Sequence, residues 1–205
     1  SSSKLKENFY KELFNYEKEK SKKIISSDVQ CTGDSYTLDS KDMKFYTREQ
    51  YLRKVKNEIR KYYLFLGYIE FANKIKKIQD KFDGKDTPSY QKKIKKIFSN
   101  RIILIDEIHN IRTADKNGDM KRVPPLLREV IKYGENNKLI MMSATPMYNT
   151  PDEIIYLTNL LLLNDKRNEI THQKAKKIFD QNQHLTSEGE QILQESLIGY
   201  VSYLR

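Results

Sequence analysis

Arg101-Ile102-Ile103-Leu104-Ile105-Asp106-Glu107-Ile108-His109 is the stretch that decides the fold. Residues 102–105 form an unbroken, β-branched apolar run, the pattern of a central parallel strand covered on both faces. Two carboxylates and an imidazole follow it directly. Residues 139–142, Leu-Ile-Met-Met, read as a second buried strand, and Ser143-Ala144-Thr145-Pro146 follows that one. Between the two strands, residues 124–132 read as a helix with Pro at its start. Strand, helix, strand and helix at these lengths predict an α/β fold, a parallel sheet flanked by helices.

Upstream, residues 4–20 predict an amphipathic helix, with Leu5, Phe9 and Leu13 stepping by four. A short strand is expected over residues 24–31 and a turn at Thr32-Gly33-Asp34-Ser35. Residues 46–60 predict a helix with Tyr51, Leu52, Val55 and Ile59 on one face. Residues 62–66 predict an apolar strand that stops at Gly67, and residues 71–81 a further helix. Downstream, Thr150-Pro151-Asp152-Glu153 predicts a capping box that opens a helix to about Leu163. A polar break over residues 180–185 precedes a last helix over 188–197. No internal repeat is present.

The chain of 205 residues has 38 Lys+Arg against 28 Asp+Glu, a formal net charge of +10. The excess is local: residues 51–100 hold 14 basic against 5 acidic residues. Much of it lies in Lys74-Ile75-Lys76-Lys77-Ile78 and Lys92-Lys93-Ile94-Lys95-Lys96-Ile97, read as a lysine-faced helical hairpin with a thin apolar stripe. Asp83-Gly84 and Thr87-Pro88-Ser89 break the chain between the two helices. Such a face is either a solvated surface or a phosphate-contacting one, with Lys76, Lys77, Lys92, Lys93, Lys95 and Lys96 as the contacts. One cysteine, Cys31, excludes a disulfide scaffold, and no Cys/His cluster has zinc spacing. No apolar run exceeds five residues, and runs such as 160–163 are far too short to span a membrane. His172 and His184 lie in polar segments and read as surface residues. Tyr62, Tyr63 and Tyr68 are expected to pack in the core rather than stack on bases.

Asp106 and Glu107 would stand at the carboxyl end of a parallel strand, where open α/β sheets bind ligands. Two adjacent acids need a compensating cation or donors. Mg²⁺ suits them, since it keeps most of its waters and takes one or two carboxylates plus substrate phosphates. The second acid can then orient or deprotonate a water. The hydroxyls of Ser143 and Thr145 can meet His109 from the neighbouring strand end.

Asp106-Glu107-Ile108-His109 resembles motif II, the Walker B box, of superfamily 2 DExH (DEAH box) helicases, and Ser143-Ala144-Thr145 resembles motif III. Asp106 to Arg112 and Ser143 to Asn149 resemble the helicase-like ATPases of large nucleocytoplasmic DNA viruses. That group includes the poxvirus early transcription factor small subunit and nucleoside triphosphate phosphohydrolase I. Tyr63-x-Phe65-x-Gly67-Tyr68-x-x-Phe71-Ala72-Asn73 and Gly199-Tyr200-Val201-Ser202-Tyr203-Leu204-Arg205 resemble it too, so the likeness runs from about residue 59 to the end. It implies the C-terminal part of a RecA-like motor lobe 1 over residues 1–205, with a lysine-rich helical insertion at 74–100. It implies ATP and Mg²⁺ as cofactors, Asp106 binding Mg²⁺ through water, and Glu107 as general base. His109 would couple the nucleotide to Ser143 and Thr145. The implied partners are nucleic acid, DNA before RNA, and a viral RNA polymerase. The implied location is the cytoplasm, in a viral factory or virion.

A motor of this kind needs a P-loop, Gly-x-x-x-x-Gly-Lys-Ser/Thr. Only Gly84 precedes a lysine, and Asp86 stands where Ser or Thr is required. The second lobe's motifs are missing as well. The chain begins at Ser1, not Met, and reads as an excised piece of a larger motor, inactive alone. A split gene and a degenerate relative are the alternatives, the latter a non-catalytic binding module or a structural virion component.

Overall fold

The computed structural model describes residues 2–21, 32, 35–36, 45–82, 87–111, 119–147 and 150–202. The expected strand over 24–31, with Cys31, lies outside them, as do Gly33, Gly84, Arg112, Tyr148 and Asn149. In chain order the helices are α1 Ser2–Leu13, α2 Tyr16–Ser21, α3 Arg48–Tyr62, α4 Tyr68–Lys81 and α5 Pro88–Phe98. Strand β1 is Ile102–Ile105, and short 3-10 turns cover Ile108–Asn110 and Asp119–Arg122. Then come α6 Val123–Tyr133, β2 Lys138–Met141, α7 Asp152–Asn164, α8 His172–Ala175 and α9 Ser187–Leu197. No helix among the described residues is long and apolar enough to cross a membrane. The chain divides into two units, Ser1–Gly67 and Tyr68–Arg205.

In the first unit the expected helix over 4–20 is two helices. Asn15 breaks it: its Oδ1 accepts from the Glu17 and Lys18 amides at 3.0 and 3.3 Å, starting α2 afresh. Helix α3 opens with a true capping box between Thr47 and Gln50. Its Tyr51, Val55 and Ile59 are buried with Phe14, and Leu52 packs half-buried at the edge of that cluster. Residues 63–67 are not a strand. The chain leaves α3 at Tyr63 in an extended conformation, and among the described residues no strand pairs with it. Tyr63 and Phe65 stack on each other instead.

In the second unit β1 and β2 pair in parallel, Ile102 opposite Lys138 and Ile105 opposite Met141. Helices α4, α5 and α6 bury their apolar stripes in one cluster. Ile75 and Ile78 come from α4, Ile94 and Phe98 from α5, Leu127 and Val130 from α6. Pro124 and Pro125 stand in the first turn of α6, where no intrahelical donor is needed. Helix α7 is apolar almost all round, so it is buried on two sides. Leu157 and Leu160 face the main cluster, while Ile155 and Leu162 join Ile170 and Ile178 in a second one beside α9.

Two local expectations are corrected. The sheet is covered on one face only among the described residues: Ile103, Leu139 and Met141 pack inward, but Ile102 and Leu104 are 69% and 52% exposed. An unbroken apolar run does not reveal which face is covered. No side chain caps α7: the Thr150 and Pro151 carbonyls accept from the Glu153 and Ile154 amides, and Glu153 is itself buried.

Candidate functional site

The site is built where β1 and β2 end side by side. The ladder continues one step beyond the strands. Met142 N–H donates to Ile105 C=O at 2.9 Å, and Ile108 N–H donates to Met142 C=O at 3.0 Å. That register brings His109 against Ser143, with His109 Nδ1 2.9 Å from Ser143 Oγ. The same nitrogen lies 3.1 Å from Glu107 Oε2. A carboxylate only accepts, so this contact requires the proton on Nδ1. His109 is mostly buried, whereas Glu107 is about half-exposed.

Glu107 holds a left-handed backbone, φ 53° and ψ 48°, uncommon for a residue with a side chain. The bend turns the chain from strand into the 3-10 turn, whose Asn110 amide bonds the Glu107 carbonyl at 2.9 Å. Ile108 and Ile111 anchor the turn from below, both buried in the main cluster. Tyr68, the first residue of α4, clamps it from the side. Its hydroxyl donates to the Asp106 carbonyl and lies 3.0 Å from that of Glu107. Burial first, then the Asp106 and Glu107 charges, push the Tyr68 phenol up to about 12, so it remains a donor at neutral pH.

Four of the five expected motif residues therefore share one turn pair. Asp106 and Glu107 are exposed at the strand end, and Glu107, His109 and Ser143 are in direct contact. Thr145 enters through its backbone, donating its N–H to Ser143 Oγ at 3.0 Å; its side chain is exposed. Tyr68 packs half-buried against the main cluster, as expected, but its place at the motif turn was not foreseen. The only signal in the sequence is its position in the Tyr63-to-Asn73 string ahead of motif II.

All six lysines named for phosphate contact are exposed on α4 and α5. Lys76 meets Asp80 at 3.4 Å and Lys95 meets Glu135 at 2.6 Å. The described residues contain no group of three or more His, Cys, Asp or Glu side chains poised to hold a metal. A lone carboxylate pair at a strand end fits a hydrated, hard cation and does not fit zinc. His172 and His184 are exposed, as expected.

No family profile matches the sequence, and no solved structure matches it. Curated relatives do. A protein of Acanthamoeba polyphaga mimivirus, L377, named for an ATP-dependent RNA helicase, is 28% identical over 89% of this chain and 17% of its own length. Nucleoside triphosphatase I of Choristoneura biennis entomopoxvirus is 31% identical over 68% of this chain and 22% of its own. That of Melanoplus sanguinipes entomopoxvirus is 44% identical over 30% of this chain and 10% of its own. The chain thus spans less than a quarter of each of these three relatives. By sequence it is a relative of the helicases and nucleoside triphosphatases of large DNA viruses.

Proposed function

We propose that this chain is the motif II and motif III part of the first RecA-like lobe of a nucleic-acid-dependent nucleoside triphosphatase. The observation that carries this reading is the Glu107–His109–Ser143 contact at the carboxyl ends of two neighbouring parallel strands. Such ends are where α/β sheets receive nucleotides. Asp106 would hold Mg²⁺ through water, and the ion would neutralise charge on the nucleotide phosphates. Glu107, oriented by His109, is the group to take the proton of the attacking water. Ser143 and Thr145 relay the state of that site along the β2 loop.

The chain has no P-loop, so the phosphates need a further segment, and the 205 residues alone hydrolyse no ATP. The lysines of α4 and α5 are the proposed backbone-phosphate contacts, in an elaboration of the lobe over residues 74–100. Replacing them with Gln should lower the salt dependence of nucleic-acid binding.

The deciding experiment is Glu107→Gln in the complete protein. Hydrolysis should be abolished and nucleotide binding kept. Turnover that survives the substitution removes Glu107 from the role of base and the reading with it.

A further inference from the structure

We infer that the first unit carries a stacking surface for single-stranded nucleic acid, built on an exposed row of aromatic rings. Phe9 stacks on Phe65 at 5.7 Å between centroids, and Phe65 stacks on Tyr63 at 5.8 Å and 4°. Tyr36 continues the row 6.3 Å from both Tyr63 and Tyr62. Phe65 and Tyr36 rest half-buried against the unit's core, but Tyr62 and Tyr63, expected in the core, and Phe9 lie outside it. Phe14, Tyr51, Val55 and Ile59 are its buried members, while Phe9, Tyr62 and Tyr63 are 42%, 69% and 39% exposed.

Charge names the occupant. Helix α3, which ends in Tyr62, carries Arg48, Arg53, Lys54, Lys56, Arg60 and Lys61 against Glu49 and Glu58 alone. Arg53, Lys56 and Arg60 line one shallow depression with Leu52, Asn57 and a single acid, Glu49. Lys56 also reaches over the Tyr10 ring, which in turn meets Phe65 edge-on at 5.2 Å. Exposed aromatic rings bordered by cations are the recognition chemistry of unpaired strands, where bases stack on ring surface that the neighbouring rings leave uncovered and phosphates track the cations. A duplex hides its base faces and gains only from the cations. Arg48 and Lys61 are paired with Glu17 and Glu58, but a protein partner would still meet a rim in which Arg53, Lys56 and Arg60 outnumber Glu49. The surface is independent of the nucleotide reading, because it lies in the first unit and needs neither Asp106 nor Glu107.

The test uses the 205-residue chain and fluorescence anisotropy with a labelled dT20 strand and a labelled 20-base-pair duplex. The single strand should bind about tenfold tighter than the duplex, and Tyr62→Ala with Tyr63→Ala should remove most of that preference. Tyr62→Phe with Tyr63→Phe should retain it, since the rings remain. Gln substitution of the α4 and α5 lysines should leave the preference in place, which separates this surface from the phosphate contacts proposed above. Equal affinity for strand and duplex, or an alanine variant that folds and keeps the preference, overturns the inference. So does binding of neither probe, which would assign the rings to a protein partner. Should the alanine variant fail to fold, the strand-to-duplex ratio of the unmodified chain and of the phenylalanine variant decides.

Discussion

The Tyr68 hydroxyl lies 3.0 Å from the Glu107 carbonyl and also donates to that of Asp106, so one phenol holds the backbone of both acids. Glu107, the second of the two, has a left-handed backbone, which a loose turn would not keep. Tyr68→Phe leaves the ring in place and removes the donor. Stability should fall by about 1–2 kcal/mol, read as a lower midpoint in urea unfolding of the chain. In the complete protein kcat should fall while the nucleotide KM stays unchanged, because Glu107, the base proposed above, is mispositioned and the nucleotide contacts are not. A rise in KM alone would point to nucleotide binding as the role of this tyrosine.

Ser143 ties the two motif turns together by accepting the Thr145 amide and meeting His109. Ser143→Ala deprives that amide of its partner. Hydrogen exchange at Thr145 should become several-fold faster, with the amides of α6 unchanged. Ser143→Thr keeps the oxygen and should keep the protection.

The sequence disclosed the elements that repeat a period and concealed those that depend on approach. The strands at residues 102–105 and 139–141 and the buried stripes of α3, α4 and α5 follow from apolar spacing alone. The His109–Ser143 pairing was legible because each residue follows a strand, and parallel register then dictates their meeting. Tyr68 was not legible, since its value comes from α4 lying against a turn nearly forty positions away. The apolar run at residues 62–66 suggested a strand, but a strand needs a partner, and Tyr63 and Phe65 stack on each other instead. A capping box was expected at Thr150 and forms at Thr47. Pro151 holds helical dihedrals, so the helix entry at Thr150 is made by carbonyls rather than by a side chain.

Gly189 is required by contact, not by conformational freedom. A Cβ there would stand 2.2 Å from the Ile178 carbonyl oxygen and 2.5 Å from its Cα. Both obstacles are backbone and cannot swing aside. Ile178 is fully buried at the centre of the second cluster, so α9 itself must move away. Gly189→Ala should cost about 1–3 kcal/mol, despite alanine's better helix propensity. Thermal unfolding by circular dichroism checks this; an unchanged midpoint would mean that α9 is free to shift.

Tyr156 should make the stability of the second unit sensitive to alkali. Its hydroxyl donates to the Pro124 carbonyl at 3.0 Å and joins α7 to the start of α6. Burial raises its phenol well above the ordinary value near 10, against a smaller opposing pull from Arg128. The neutral form is therefore favoured in the folded state. Its contribution is fully present below pH 10, the unfolded value, and is lost as pH rises from there toward the folded value. Tyr90 is raised in the same direction, by burial and then by its bond to Glu129, so the loss is shared. Tyr156→Phe should lower stability by about 1 kcal/mol at pH 8 by leaving the Pro124 carbonyl without its donor. The same substitution should lessen the decline above pH 10, so that wild type and variant converge as the pH rises. Urea unfolding at pH 8, 10 and 11 measures both effects. A deficit that stays constant from pH 8 to pH 11 would show that Tyr156 does not titrate with unfolding.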